Sequence, residues 1–284
     1  MSALRSNKLT LAAVSGRAMY ALLALLNLLS PKERASHRVA RGVHYGDDRR
    51  QVLDIYAPRS GSGPWPVIHF IYGGSWADGE RRYYEFVGRA LAAAGYVVVI
   101  IDYRLVPTIE YPAFLEDCAR GVAWVAEHIA AHGGDPTRIA LMGHSAGAYN
   151  AVMLILAGRY LTPGLTGRIR AFVGLSGPYD FYPFDVPVSL RTFGAVRDPR
   201  QTQPVNLVRS GLPPMLLVSG DADKLVYPRN TVALAKGLRA AGNSVVEMHY
   251  AGLGHAGTLL ALGAWGRNRG PVLRDTIAFL KAHL

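Results

Sequence analysis

Short apolar runs without hydrophobic–polar alternation are the feature that most constrains the fold of this chain. The clearest is YVVVII at residues 96–101, whose β-branched composition is typical of a strand buried on both faces of a sheet. Further strands are predicted near residues 39–45, 52–56, 67–72, 139–142, 172–175, 215–218 and 245–250. Helical patterns separate or follow them, near residues 83–94, 113–131, 148–156, 229–241 and 272–283. This order predicts an α/β fold in which a mostly parallel, eight-stranded sheet carries helices on both faces.

The composition supports a folded chain without an extended charged surface. Half of the 284 residues are hydrophobic and 18% are charged, which supplies enough apolar side chains for a large core. The net charge of +11 comes mostly from arginines that are scattered along the chain, so a solvated surface and no nucleic-acid partner are predicted. The single cysteine, Cys118, excludes an intrachain disulfide. Without any Cys-x-x-Cys pair, no metal site is predicted.

The N-terminal segment contains an apolar run, AMYALLALLNLL at residues 18–29, preceded by three basic residues. The run is shorter than the about 20 residues of a membrane span, and no small-residue pair follows it as a cleavage site. Residues 1–38 are therefore predicted to form an apolar helix that packs on the domain or caps its active site. A membrane-surface anchor and an export signal remain open. The first interpretation predicts a cytoplasmic protein, and the others a membrane-associated or exported one.

Residues 39–284 are predicted to form the main domain. Within it, residues 177–213 are irregular and rich in proline and aromatic residues, which is typical of a lid or pocket insertion. Ligands of mostly parallel sheets bind at the carboxyl ends of the strands. The residues that directly follow each strand are therefore the candidates for chemistry.

The segment GHSAG at residues 143–147 lies between a predicted strand and a predicted helix. Gly-x-Ser-x-Gly in this context is typical of a nucleophile elbow, a tight turn that exposes the serine hydroxyl above the sheet. Ser145 is therefore the candidate nucleophile. The backbone N–H of Ala146, at the start of the helix, is a candidate donor to a developing oxyanion.

A second loop, YGGSW at residues 72–76, follows an earlier strand. Its glycine pair lets the backbone approach a ligand closely, so that its amides can donate to an oxyanion. The pair alone is equally well explained as an ordinary turn. Next to the elbow, the oxyanion interpretation is favoured.

Acid and base candidates follow the last two predicted strands. Asp221 and Asp223 both follow the strand near residues 215–218, and either carboxylate can orient a histidine. His255 lies in the loop after the last strand, where a base can reach Ser145. His144 adjoins the nucleophile but is expected to point elsewhere. The other competing histidines are interpreted as structural or surface residues: His44, His69, His128, His132 and His249.

These motifs resemble α/β-hydrolases of the carboxylesterase group, which includes hormone-sensitive-lipase-like esterases and kynurenine-formamidase-like hydrolases. The resemblance covers about residues 45–283. The matching stretches are YGGSWADG (72–79), DYRLVP (102–107), YPAFLEDC (111–118), GHSAGA (143–148), GDADKLV (220–226) and GLGH (252–255). Such a set in this order is specific for the fold and its catalytic machinery, and less specific for the substrate.

The resemblance implies a role for each matching residue. The implied triad is Ser145, Asp223 and His255, and the implied oxyanion donors are the amides of Gly74, Ser75 and Ala146. Asp221 is then structural. The chain departs from the usual His-Gly-Gly-Gly of the group in two places, because Tyr72 stands for the histidine and Ser75 for the last glycine.

The sequence predicts a serine carboxylesterase that hydrolyses short- to medium-chain or aryl esters without a cofactor. An arylformamidase or other amide hydrolase would use the same triad and stays open. A non-catalytic binding module of the same fold is disfavoured, because it would normally have lost part of the triad. Three aromatic residues, Trp76, Tyr149 and Phe181, are predicted to contact the substrate, although packing of the irregular loop explains such residues equally well. The sequence carries no signal for the oligomeric state.

Overall fold

One eight-stranded sheet organises the protein in the computed structural model, which describes residues 23–25 and 27–284. The strands are β1 (Ser36–His44), β2 (Val52–Pro58), β3 (Trp65–Ile71), β4 (Val97–Ile101), β5 (Gly134–His144), β6 (Ile169–Leu175), β7 (Met215–Gly220) and β8 (Val245–Tyr250). Their order across the sheet is β1-β2-β4-β3-β5-β6-β7-β8. The first two strands are antiparallel to their neighbours, and the remaining pairs are parallel. The predicted α/β fold with a mostly parallel sheet is confirmed.

The strands without alternation are buried along their length, as their composition predicts. All five residues of β4 and all six of β7 are buried, because helices cover the sheet. The helices are α1 (Glu85–Ala93), α2 (Ala113–His128), α3 (Ala146–Leu156), α4 (Pro163–Thr166), α5 (Pro187–Phe193), α6 (Arg229–Ala240), α7 (His255–Leu260) and α8 (Val272–His283).

Several segments differ from the sequence-based expectation. Strand β1 begins at Ser36, inside the predicted N-terminal segment 1–38, and the helices α4 and α7 were not predicted. Strand β5 begins at Gly134, five residues before the predicted start, although Asp135 and Pro136 are turn-forming residue types. The stretch 177–213, predicted to be irregular, contains α5 and two 3₁₀ turns, Pro199–Thr202 and Pro204–Leu207. Each of these three helical segments begins with proline, whose fixed φ suits the first helical position.

The described part of the N-terminal segment is helical at residues 23–25 and 27–29 and lies against the domain. The side-chain amide of Asn27 donates to the Arg82 carbonyl and accepts from the Phe86 N–H, both at 3.0 Å. Residues 1–22, which contain the start of the predicted apolar run, lie outside the described residues. Leu28 is 75% exposed, so a membrane contact through this segment stays a prediction. Within the described ranges, no helix is long and apolar enough to cross a membrane.

Candidate active site

Ser145 forms the sharp turn between β5 and α3. Its φ of 54° and ψ of −127° are strained values for a non-glycine residue, and they are held because its N–H donates to the Leu175 carbonyl at 2.8 Å. The flanking glycines permit the turn, because a Cβ on Gly143 would lie 2.4 Å from the carbonyl carbon of Gly147. A Cβ on Gly147 would lie 2.0 Å from the Ile71 carbonyl oxygen. The turn brings the hydroxyl to the N-terminus of α3.

His255 joins the serine to a carboxylate. Its Nε2 lies 2.8 Å from Ser145 Oγ, and its Nδ1 lies 2.8 Å from Asp223 Oδ2. All three side chains follow the strands that the sequence indicated, Ser145 after β5, Asp223 after β7 and His255 after β8. His255 is the first residue of α7, so the expectation that it lies in a loop is wrong. A hydroxyl, an imidazole and a carboxylate in series can transfer the serine proton to the imidazole and stabilise the resulting cation.

Asp223, rather than Asp221, contacts the histidine. Burial alone would raise the pKa of Asp223. The hydrogen bond and charge of His255, together with two backbone amides, lower this pKa by more than burial raises it, so the net pKa lies below the usual value. Those amides belong to Leu225 and Val226, and both donate to Oδ1 at 2.9 Å. Asp221 instead accepts from the Gly252 N–H at 2.7 Å and thereby ties together the two loops that carry the acid and the base.

The loop of residues 72–79, here called the glycine loop, lies directly against the nucleophile. A Cβ on Gly73 would lie 2.7 Å from Ser145 Cβ, so this approach requires glycine. Gly74 and Ser75 line the same cavity as Ser145. Their N–H groups and that of Ala146 donate to no acceptor in the described residues, which leaves three backbone donors for an anionic oxygen.

His144 does not point away from the site, and that expectation is wrong. Its Nε2 lies 3.0 Å from the His255 carbonyl oxygen, and the two imidazole rings are 4.9 Å apart. Burial, together with the neighbouring charge of His255, lowers the pKa of His144 to about 3. His144 therefore stays neutral and can donate to the backbone of the base.

A small cavity of about 30 Å³ opens at Ser145. Such a volume holds about two water molecules. Besides the glycine loop and the two histidines, it is lined by Leu23, Tyr84, Leu225, Ala256 and Leu259. None of these five was identified from the sequence, because they come from four separate segments that carry no motif. Leu23 belongs to the N-terminal helical segment, only 6% of it is exposed, and it therefore closes one side of the cavity.

The aromatic residues predicted to contact the substrate form a packed cluster beside the glycine loop. Trp76 lies edge-on to Tyr149 and Phe193, with ring centroids 5.3 and 4.9 Å away, and its Nε1 donates to Asn150 Oδ1 at 2.9 Å. Phe181 packs on the same residues. None of the three lines the cavity at Ser145, so their contact with substrate stays a prediction and their observed role is packing.

A second Ser–His–acid set occurs on the outer strands. Ser219 Oγ lies 2.7 Å from His249 Nδ1, and His249 Nε2 lies 2.8 Å from Glu247 Oε1. Ser219 lies within β7 and is 1% exposed. For metals, the described part of the chain places no group of three or more His, Cys, Asp or Glu side chains where they could hold an ion.

A family model described as BD-FAE matches residues 53–238, which is more than half of the chain and includes Ser145 and Asp223. The chain belongs to the BD-FAE family. The match ends before His255, so the candidate base of this BD-FAE family member lies outside the family model, and only its geometry supports that role.

Individual relatives agree with this family. A probable isoprenylcysteine alpha-carbonyl methylesterase of Oryza sativa subsp. japonica is 40% identical over 51% of this chain and 36% of its own length. Esterase LipC of Mycobacterium tuberculosis is 30% identical over 87% of this chain and 65% of its own length. The BD-FAE family member thus spans between about a third and two thirds of these curated relatives.

Solved structures agree with the fold. Inhibited esterase B from Lactobacillus rhamnosis superposes with a TM-score of 0.78 at 19% identity, over 95% of this chain and 96% of the other. A truncated carbohydrate esterase from gut microbiota superposes with a TM-score of 0.76 at 21% identity, over 89% and 98%. At these identities the similarity establishes the α/β-hydrolase fold of the BD-FAE family member.

Proposed function

We propose that this protein is a serine carboxylesterase in which Ser145 is the nucleophile, His255 the base and Asp223 the acid. The observation that carries the proposal is the pair of 2.8 Å contacts that places His255 between the other two side chains. The unpaired amides of Gly74, Ser75 and Ala146 support acyl transfer, because Gly74 and Ser75 line the same cavity as Ser145, Ala146 directly follows it, and that reaction develops charge on a carbonyl oxygen.

The geometry gives each group one step. His255 Nε2 takes the proton of Ser145 as Oγ attacks the ester carbonyl carbon, and the carbonyl oxygen becomes the oxyanion. Asp223 keeps the Nδ1 proton in place and stabilises the imidazolium. Collapse of the tetrahedral intermediate expels the alkoxide, which leaves as the alcohol with the proton from Nε2. Water then repeats the sequence on the acyl-enzyme and regenerates Ser145.

Hydrolysis of p-nitrophenyl acetate, butyrate, octanoate and laurate by the wild type and by Ser145→Ala tests this proposal. The variant is expected to lose at least about 10⁴-fold in kcat, because no other described group can form the acyl-enzyme. A variant that keeps near-normal activity would contradict the assignment. If the wild type hydrolyses N-formylkynurenine or peptide amides but no ester, the amide-hydrolase alternative replaces the esterase.

The size of the cavity adds a substrate preference to the proposal. The leucine residues that line the small cavity at Ser145 support a preference for a short acyl group over a long chain. Leu23 closes one of its sides, so the N-terminal segment acts as a cap on the acyl site. The lining of the cavity by Leu23 supports the cap role for the described part of this segment, one of the roles that the sequence left open.

Leu23→Ala tests the cap, and Leu28→Ala is the matched control, because Leu28 lies on the same helical segment but is 75% exposed. Each extra methylene that the enlarged cavity buries contributes about 0.8 kcal/mol, so the octanoate-to-acetate ratio of kcat/KM is expected to rise roughly tenfold or more. Leu28→Ala should keep the wild-type ratio. An unchanged ratio in Leu23→Ala refutes the cap and leaves the esterase assignment untouched.

A further inference from the structure

The glycine loop is held in a conformation that its sequence does not favour. Its three successive residues Gly74, Ser75 and Trp76 have φ values of 145°, 52° and 57°. Two of them carry a side chain, and a left-handed conformation costs a non-glycine residue about 1–3 kcal/mol. Such strain persists only where neighbouring contacts fix it. The contacts that fix this loop therefore control where its amides point.

Arg50 contacts both ends of the glycine loop. Its Nη2 donates to the Tyr72 hydroxyl at 2.7 Å and to the Gly79 carbonyl at 2.8 Å. Its Nε donates to the Tyr103 carbonyl at 2.8 Å, which ties the loop to the end of β4. The two ends also touch directly, because a Cβ on Gly79 would lie 2.5 Å from the Tyr72 ring. The Tyr72 hydroxyl also lies 3.2 Å from the Gly79 carbonyl oxygen, so the Arg50 guanidinium reinforces a direct contact between the two ends of the loop.

Two buried carboxylates, Asp102 and Asp54, belong to the hydrogen-bond network that holds Tyr72. The Tyr72 hydroxyl donates to Asp102 Oδ1 at 2.9 Å, and Arg81 pairs with Asp102 and Asp54 at 2.5 and 2.8 Å. Burial raises the pKa of Tyr72 well above its usual value, and the charge of Asp102 raises it further, so the hydroxyl keeps its proton as a donor. Arg50 lies 4.0 Å from Asp102 and also donates to the loop backbone at Gly79.

We propose that Arg50 is a positioning residue that sets the oxyanion donors of the glycine loop. Tyr72, which replaces the usual histidine of related enzymes, accepts a hydrogen bond from Arg50, and through this contact Arg50 fixes the start of the loop. This inference rests on the proposed serine esterase function. It assigns a role in the reaction to a residue whose nearest guanidinium contacts are backbone carbonyls and a phenol, not the substrate.

The test compares Arg50→Ala with Arg49→Ala, which removes the adjacent, exposed arginine. Two experiments are made on each variant. Steady-state hydrolysis of p-nitrophenyl acetate gives kcat and KM, and labelling by a fluorophosphonate gives the rate constant for modification of Ser145. Labelling needs the same donors, because charge develops on the phosphoryl oxygen. Since a displacement of about 1 Å at a reacting group costs about 10²-fold, both rates in Arg50→Ala are expected to fall about 10–100-fold. KM should change by less than about threefold, because ground-state binding is unaffected.

Two further variants separate positioning from folding. Arg50→Lys keeps one charged donor and should restore part of both rates, and Tyr72→Phe removes only the hydroxyl and should lower kcat without raising KM. Far-UV circular dichroism confirms that each variant is folded. Arg50→Ala or Tyr72→Phe that is folded and labels at the wild-type rate overturns the inference. A wild type that labels normally but hydrolyses no ester contradicts the proposed function alone.

Discussion

Removing the imidazole of His69 should stabilise the protein, and more strongly at acidic pH. His69 lies in the middle of β3, between Val99 and Leu141 on the neighbouring strands, and is fully buried. Neither of its ring nitrogens has a hydrogen-bond partner among the described residues. Burial lowers its pKa from 6.5 to about 3, so the folded protein holds it neutral.

The expected gain in the free energy of unfolding has two parts. A buried polar group without a partner costs about 1–3 kcal/mol, and His69→Leu removes that cost for a change in volume of about one methylene. The second part depends on pH, because below pH 6.5 the unfolded chain binds a proton at His69 that the folded chain does not bind until about pH 3. Stability is therefore lost as pH falls through this range, by about 1.4 kcal/mol per pH unit. At pH 5.0 the wild type loses about 2 kcal/mol that the variant keeps.

Urea unfolding of wild type and His69→Leu at pH 7.5 and pH 5.0, followed by tryptophan fluorescence, measures both parts. The variant should be more stable by about 1–3 kcal/mol at pH 7.5 and by about 3–5 kcal/mol at pH 5.0. The control is His44→Leu, which removes an exposed histidine of β1 and should show the same difference from wild type at both pH values. An equal advantage of His69→Leu at the two pH values would refute the buried neutral imidazole. A variant less stable than wild type at pH 7.5 would refute the cost of its unpaired nitrogens.

Three further predictions concern the site. Gly73→Ala places a Cβ 2.7 Å from that of Ser145, so kcat should fall at least about 10²-fold with the protein still folded. Asp223→Asn should lower kcat about 10⁴-fold, whereas Asp221→Asn, which changes only a loop contact, should stay within about tenfold of wild type in the same steady-state assay. Ser219→Ala should hydrolyse p-nitrophenyl esters at the wild-type rate, and a loss comparable to that of Ser145→Ala would contradict the assignment of the nucleophile.

The sheet was predictable because strands buried on both faces consist of continuous apolar residues, a pattern that can be recognised in the sequence. Strand β4 reads VVVII, and a β-branched run of this length between two helical patterns has few other solutions. The first five residues of β5 could not be predicted, because GDPTR resembles a turn and only Gly134 among them pairs with a neighbouring strand. The helix α5 was missed because it has only seven residues, beginning with a proline, and these carry too little periodicity.

The candidate site also contains features that were predictable from the sequence and features that were not. Ser145 and the glycine loop were predictable, because a close backbone approach demands glycine at fixed positions. The contact of His144 with the base and the closure of the cavity by Leu23 were not predictable. The His144 contact joins residues 111 positions apart, and the cavity likewise joins Leu23 to residues more than 100 positions away. The choice of Asp223 over Asp221 came from resemblance, and only the 2.8 Å contact gives it a physical reason.

The two Ser–His–acid sets show which features distinguish a candidate nucleophile from a hydrogen-bonded serine. Their distances are nearly the same, between 2.7 and 2.8 Å. Ser145 differs from Ser219 because it occupies a left-handed turn, opens into a cavity and has unpaired amides beside it. Ser219 lies within a strand whose backbone groups belong to the sheet, so no donor is free to meet an oxyanion. Reactivity at Ser145 therefore depends on the strained turn and the glycine loop as much as on the triad, which is why Arg50, a residue outside the triad, is expected to affect the rate.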